Sequence, residues 1–297
     1  MEICRAEHPR TRRSAVCLED GRILIREGER LLSTLRLFGA EFQEQTSWWG
    51  VEVRLGFSPG GDWLAVSYGL GHVYLAEPET GQAAARFRLF DEVRYEDESY
   101  QDIDTYCYYN EHTRLDFSPS GHWLAVRVRG DFDPQEEDGR REYFTPQYFR
   151  SVSVIDMERR ILAFTRSFED EHPGHENLAA LAFHPAEELL AVGAPGGRFR
   201  LLSLPEGETA GEFSSLIWIP DPLGVRHRDL IRFVDDDTLV YLSGERTASR
   251  LRRETDGLWR PDGVLSSEEG RQIMGEEFCY AALSHFRTDE GAGPPGH

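Results

Sequence analysis

One stretch limits this chain more than any other: LGFSPGGDWLAV at residues 55–66. An alternating apolar run (Val51, Val53, Leu55) ends at Phe57, Ser58-Pro59-Gly60-Gly61 turns, and Trp63-Leu64-Ala65-Val66 starts a second run. Alternation of this kind reads as a half-buried strand, and proline followed by glycine supplies the fixed and the permissive φ of a tight turn. The same register returns at Phe117 with SPSGHWLAV, at Phe183 with HPAEELLAV, at Phe233 with VDDDTLVYL and, worn, at Cys17 with LEDGRILIR. In each copy the second apolar run starts six residues after the marker. A chain that repeats one hairpin is expected to stack those repeats into a single β architecture.

Residues 51–90 are the clearest unit. After Trp63–Val66, Val73 and Leu75 alternate on a third strand, Glu77-Pro78-Glu79-Thr80-Gly81 turns, and 82–89 form a fourth. Four antiparallel strands in about 40 residues make one propeller blade. The other units fall near 12–38, 113–167, 178–213 and 230–283, which predicts one domain over 1–290 and a disordered tail, GAGPPGH, at 291–297. The apolar stretch Phe278–Leu283 is expected to complete the amino-terminal blade, because an open sheet edge invites unwanted pairing.

FSPGGDWLAV and FSPSGHWLAV resemble the first hairpin of WD-repeat β-propellers, and the whole resembles a degenerate bacterial member of that class. Gly174-His175 is similar to the glycine–histidine pair that precedes an inner strand. The signature tryptophan–aspartate pair is missing, the third strands ending Leu75-Ala76, Ile155-Asp156 and Leu202-Ser203. The resemblance implies an all-β fold, a β-propeller of four-stranded antiparallel blades that serves as a binding platform, and the five hairpin markers count five blades. It carries over no catalytic residue.

In a blade of strands a–b–c–d the a–b and c–d turns lie at one edge, and the b–c and d-to-a connections at the other. The a–b turns here are tight, whereas 39–50, 90–112, 167–177 and 214–229 are long d-to-a connections and 127–150 is a long b–c segment. Long segments in a compact domain tend to carry function. The richest is 91–112, where Tyr95, Tyr100, Tyr106, Tyr108 and Tyr109 interleave with acids that include Asp102 and Asp104. Tyrosine gives rigid contact area with a polar tip, and neighbouring carboxylates favour an arginine- or lysine-bearing partner. Trp48 and Trp49 belong to the same edge, with capping of the next blade as the competing role. The segment 127–150 reads equally as a long β-hairpin or a charged loop.

The formal net charge of −20 argues against nucleic acid, whose recognition needs a basic footprint, and equally against an anionic membrane surface, and is compatible with a basic protein partner or with plain solubility. All 33 basic residues are arginine. The absence of lysine removes kinase and P-loop readings, which require one; it is read as GC-rich bacterial codon usage, with arginine's bidentate pairing as the functional alternative. Cysteines at 4, 17, 107 and 279 lack metal or dithiol spacing. The first residues have no apolar signal core and no segment is long and apolar enough to span a membrane, so a cytoplasmic location is expected.

His172 and His175, set among carboxylates, are weak metal candidates because Pro173 and Gly174 intervene and no third fixed ligand is evident. Asp235-Asp236-Asp237 lacks the spacing of a calcium loop and suits a tight bend. The expectation is therefore a non-enzymatic protein without cofactor, binding a protein partner with a basic surface as an adaptor or an immunity-type inhibitor. The competing readings are a propeller enzyme or small-ligand or metal binder with its site in the central channel, and a structural subunit of a larger assembly.

Overall fold

The computed structural model describes residues 1–38, 42, 53–68, 72–89, 114–132, 147–167, 180–194, 198–214, 231–244 and 247–274. The chain divides into two compact units, Met1–Glu169 and Asp170–His297. The first holds three four-stranded sheets. Blade 1 is β1 (Glu2–Glu7), β2 (Arg13–Leu18), β3 (Arg22–Glu27) and β4 (Arg30–Arg36). Blade 2 is β5 (Val53–Phe57), β6 (Leu64–Tyr68), β7 (His72–Glu77) and β8 (Gln82–Arg88). Blade 3 is β9 (Arg114–Phe117), β10 (Trp123–Phe132), β11 (Gln147–Asp156) and β12 (Ile161–Ser167).

The second unit holds two more. Blade 4 is β13 (Leu181–Phe183), β14 (Leu189–Ala194), β15 (Arg198–Ser203) and β16 (Thr209–Ser214). Blade 5 is β17 (Ile231–Asp235), β18 (Thr238–Gly244), β19 (Thr247–Arg253) and β20 (Trp259–Val264), followed by a helix, α1 (Ser267–Met274). Every sheet is an antiparallel meander in chain order. This is the blade set of a five-bladed, all-β propeller.

The apolar runs have a direct cause in this arrangement. Leu64, Ala65, Val66 and Ser67 of β6 are all buried, because one face of the strand packs toward blade 1 and the other toward blade 3. Ala15, Cys17, Ile23, Ile25 and Leu35 meet Val53, Leu64 and Val66 between blades 1 and 2. Ala65, Val73 and Leu75 meet Leu124, Val126 and Ile155 between blades 2 and 3. In the second unit Phe199 and Leu201 pack with Val240, Tyr241 and Leu251. Each valine, leucine, isoleucine or phenylalanine among them contributes about 1.5–3 kcal/mol by leaving water, so two-sided burial concentrates the stabilisation in strands b and c.

One turn recurs at the start of the second strand in blades 1 to 4. The N–H of His8, Ser58, Ser118 and His184 donates to the carbonyl five residues on, at Arg13, Trp63, Trp123 and Leu189, at 2.9 Å each. Proline follows each of these four residues. Inside the turn, Gly61 and Gly121 take φ of 77° and 82°, and Glu187 takes 59° at the matching place. Blade 5 departs from the pattern: Asp235 pairs with Thr238 across a two-residue turn, with a bulge after Phe233.

These hydrogen bonds correct the reading of the first blade. Its a–b turn is His8–Arg12, and Cys17 lies in strand b opposite Cys4, so Asp20-Gly21 is the b–c turn. Glu7 stands where the other blades have phenylalanine, which removed the marker from view. The amino-terminal blade is complete through its own β1 and needs no strand from 278–283, which lies outside the described residues. In blade 2 the third strand runs one residue further than read, so Ala76-Glu77 match Ile155-Asp156 and Leu202-Ser203 in register.

The described strands of blade 5 end at Val264, and α1 follows within the bounds 230–283 expected for that blade. Ser266 Oγ accepts from Glu269 N–H, and Glu269 Oε2 accepts from Ser266 N–H at 3.0 Å, a reciprocal capping box. Arg232 of β17 donates to the Ile273 carbonyl at 2.6 Å, and Met274 is buried, which docks the helix on its own blade.

Candidate functional site

The two edges of each sheet differ in kind. At the turn edge, neighbouring blades are bonded to one another. His8 Nδ1 accepts from the N–H groups of Arg10 and Thr11, which leaves the proton on Nε2 to donate to the Pro59 carbonyl of blade 2 at 3.1 Å. Arg13 donates to the Gly61 carbonyl at 2.9 Å and pairs with Glu79, and Ser33 Oγ donates to the Pro78 carbonyl at 2.6 Å. Arg160 of blade 3 lies over the Trp63 ring, 4.9 Å from its centroid. In the second unit His184 accepts from Ala186 N–H through Nδ1 and donates through Nε2 to the Asp236 carbonyl at 2.8 Å. Arg253 pairs with Glu188 beside it. Groups so engaged hold the blades together and are poorly placed to meet a partner.

The opposite edge carries the chain's length. Strands b and d end there and strands a and c begin there, so the segments 39–52, 90–113, 133–146, 168–179 and 215–230 all attach at that edge of their sheets. At the same edge, β10 and β11 stay paired out to Phe132 and Gln147, whereas β9 stops pairing at Arg127. The stretch 127–150 is therefore, in its described part, a long hairpin that extends past its own blade as a two-stranded arm. Arg127 stands at the root of the arm with 1% of its surface exposed.

Between blades 1 and 2 this edge holds an aromatic cluster. Phe38 stacks on Phe42 at 4.3 Å, meets Tyr68 at 4.6 Å and stands edge-on to Tyr74 at 6.2 Å. Phe42 sits against Gly21, where a Cβ would come within 3.1 Å of its ring, so both the φ of 78° and the close approach require glycine. The guanidinium of Arg86 lies over the Tyr74 ring, 5.5 Å from its centroid, and Arg88 pairs in register with His72. Burial, then the charges of Arg86 and Arg88, lower the His72 pKa below its ordinary 6.5, which favours the neutral imidazole. Blade 4 shows a related arrangement: Glu212 accepts from Arg200 at 2.6 Å and from Arg198 at 2.9 Å, which holds its carboxyl below the usual range. In blade 5, Asp262 sits between Arg250 at 2.8 Å and Arg252 at 3.3 Å. Guanidinium forks pinned in this way offer planar donors for carboxylates.

Tyr95, Tyr100, Asp102, Asp104, Tyr106, Tyr108 and Tyr109 lie outside the described residues, as do Trp48, Trp49, His172 and His175. Phe38 and Phe42, from the connection that also carries the two tryptophans, cap the adjoining blades. Reasoning from sequence missed this pair, and missed the His72, Tyr74, Arg86, Arg88 face. The signal for the face was present: residues 72 and 74 alternate against 86 and 88 once the Glu77–Gln82 turn is placed. Among the described residues no three histidine, cysteine or acidic side chains gather to hold a metal, and no helix is long and apolar enough to cross a membrane.

No family model matches the chain, and no curated protein matches it in sequence. Among solved structures it is similar to the β-propeller domain of Cps50 (Swd1) from Myceliophteria thermophila, with 12% identity and a TM-score of 0.47 over 91% of this chain and 73% of that one. It is also similar to KlHsv2 with loop 6CD replaced by a Gly-Ser linker, with 12% identity and a TM-score of 0.39 over 89% of this chain and 85% of that one.

Proposed function

We propose that this protein is a non-enzymatic platform that binds another protein through the edge opposite its tight turns. One observation carries the reading: within each unit the turn edges are short and bonded blade to blade, whereas the long segments and the arm of β10 and β11 leave from the other edge. Rigid blades that hold long connections at one edge are the arrangement of a recognition surface, since the scaffold supplies position and the connections supply chemistry. The composition of 91–112 supports the choice of partner class. Tyrosines interleaved with carboxylates suit a basic protein surface, and the partner's arginine or lysine residues supply the opposite charge. An adaptor or an immunity-type inhibitor in a bacterial cytoplasm fits this description.

The deciding experiment is capture of partners from extract of the native cell with the intact protein and with a variant. The variant replaces Tyr95, Tyr100, Tyr106, Tyr108 and Tyr109 by serine, and Glu96, Asp97, Glu98, Asp102 and Asp104 by asparagine or glutamine, with circular dichroism to verify its fold. Loss of a basic partner from the variant supports the reading. A partner held equally well by both proteins rejects it.

A further inference from the structure

Cys4 and Cys17 share no close-spaced motif, yet the register of β1 and β2 makes them direct cross-strand partners. Partners of this kind in an antiparallel pair have Cα atoms about 4.5–5.5 Å apart, inside the window of about 4.4–6.8 Å that a disulfide spans. Cys17 is fully buried and Cys4 half-buried, and both are thiols. The neighbouring Cys4 thiol, followed by burial, pushes the Cys17 thiol well above its ordinary range.

We propose that Cys4 and Cys17 form a reversible intrachain disulfide, with a peroxide as oxidant, that locks the first strand of blade 1 to the second. The thiolate of Cys4, the more exposed of the two, attacks one oxygen of hydrogen peroxide. The O–O bond breaks, hydroxide leaves, and Cys4 becomes a sulfenic acid. The Cys17 sulfur gives up its proton and attacks the Cys4 sulfur. The S–S bond forms as the S–O bond breaks, and hydroxide leaves as water on taking a proton. Two thiols are oxidised and one peroxide is reduced to two waters. Conversion of Cys4 to the sulfenic acid also removes the neighbouring negative charge that disfavours the Cys17 thiolate.

The consequence is mechanical. β1 is held by its ladder to β2 and lies beside β5 of the next blade. An outer strand of a sheet held this way can peel by breaking hydrogen bonds in sequence, and a covalent link between its residue 4 and β2 stops that route.

The test uses the full-length protein, treated with hydrogen peroxide, blocked at remaining thiols and cleaved after arginine. The expected product is residues 1–5 joined to residues 14–22, released by dithiothreitol. Amide exchange over residues 4–7 is expected to slow at least about tenfold in the oxidised protein, and to be unchanged by peroxide in Cys4→Ser. Cys4 is the position to substitute because its half-buried site accepts a hydroxyl, whereas Cys17 is fully enclosed. Cys4 carried onward to a sulfinic acid, or joined to Cys107 or Cys279, overturns the proposal. Linked peptides without slowed exchange overturn the locking role.

Discussion

Nε2 of His184 donates to the carbonyl of Asp236 at 2.8 Å, so a side chain in the turn of blade 4 holds the main chain in the turn of blade 5. The His184 ring also stands edge-on to Phe233 of that blade at 5.0 Å. His8 does the same in the first unit, donating to Pro59 and standing edge-on to Phe57 at 6.0 Å. Histidine followed by proline thus joins neighbouring blades in each unit, with its Nδ1 reserved for amides of its own turn. His184→Ala is expected to lower stability by about 1–3 kcal/mol, since it removes the hydrogen bond and opens the ring contact. Urea unfolding measures this, and a loss below about 0.5 kcal/mol would show that the histidine merely fills space.

The left-handed turn residue gives predictions of opposite sign. Glu187 holds φ 59° where Gly61 and Gly121 hold 77° and 82°, and a side chain costs about 1 kcal/mol in that region. Glu187→Gly is expected to raise the urea midpoint, because the relief of strain exceeds the added entropy of the unfolded chain, whereas Gly121→Ala lowers it. Equal shifts in the same direction would mean that local contacts at residue 187 outweigh the backbone.

His72 should give stability a pH dependence. Its folded pKa is below the ordinary 6.5, so the unfolded chain binds the proton more readily. Stability is then fully present above about 6.5 and falls as pH drops from there toward the folded value. His72→Gln should flatten that part of a stability-versus-pH curve, and Arg86→Gln should shift the His72 titration upward in an NMR experiment. A His72 titration unmoved by loss of Arg86 would assign the shift to burial and Arg88.

The capping box of α1 can be removed by one substitution. Ser266→Ala takes away the acceptor for Glu269 N–H and the partner of its carboxylate, at about 0.5–2 kcal/mol. Hydrogen exchange at 267–270 should accelerate while the blade 5 strands keep their protection. Loss of protection in β19 as well would show that the helix stabilises the whole blade.

Blades were legible in the chain wherever a marker phenylalanine, a proline turn and a two-sided apolar run coincided, as at Phe57, Phe117 and Phe183. The first blade was misread because Glu7 occupies the marker position and because Asp20-Gly21 gives a stronger local turn signal than His8-Pro9. His8-Pro9 nevertheless repeats His184-Pro185, and that comparison would have found it. The helix at 267–274 escaped because Ser266-x-x-Glu269 is a short signal that a strand-by-strand reading passes over. Of the candidate site, the sequence named segments rich in interface chemistry. The Phe38 and Phe42 cap needed tertiary packing, since nothing local distinguishes a capping phenylalanine from an exposed one.

What the sequence determined by itself is the periodic part: strand, tight turn and strand are encoded within a few residues, through side-chain alternation and the backbone limits of proline and glycine. What only the tertiary structure decided is which distant positions meet. Cys4 faces Cys17, His8 reaches Pro59, His184 reaches Asp236, and Arg86 covers Tyr74. Each of these depends on strand register or on the packing of one blade against the next. Register is fixed by the summed burial of whole strands, a quantity that no short stretch of sequence contains.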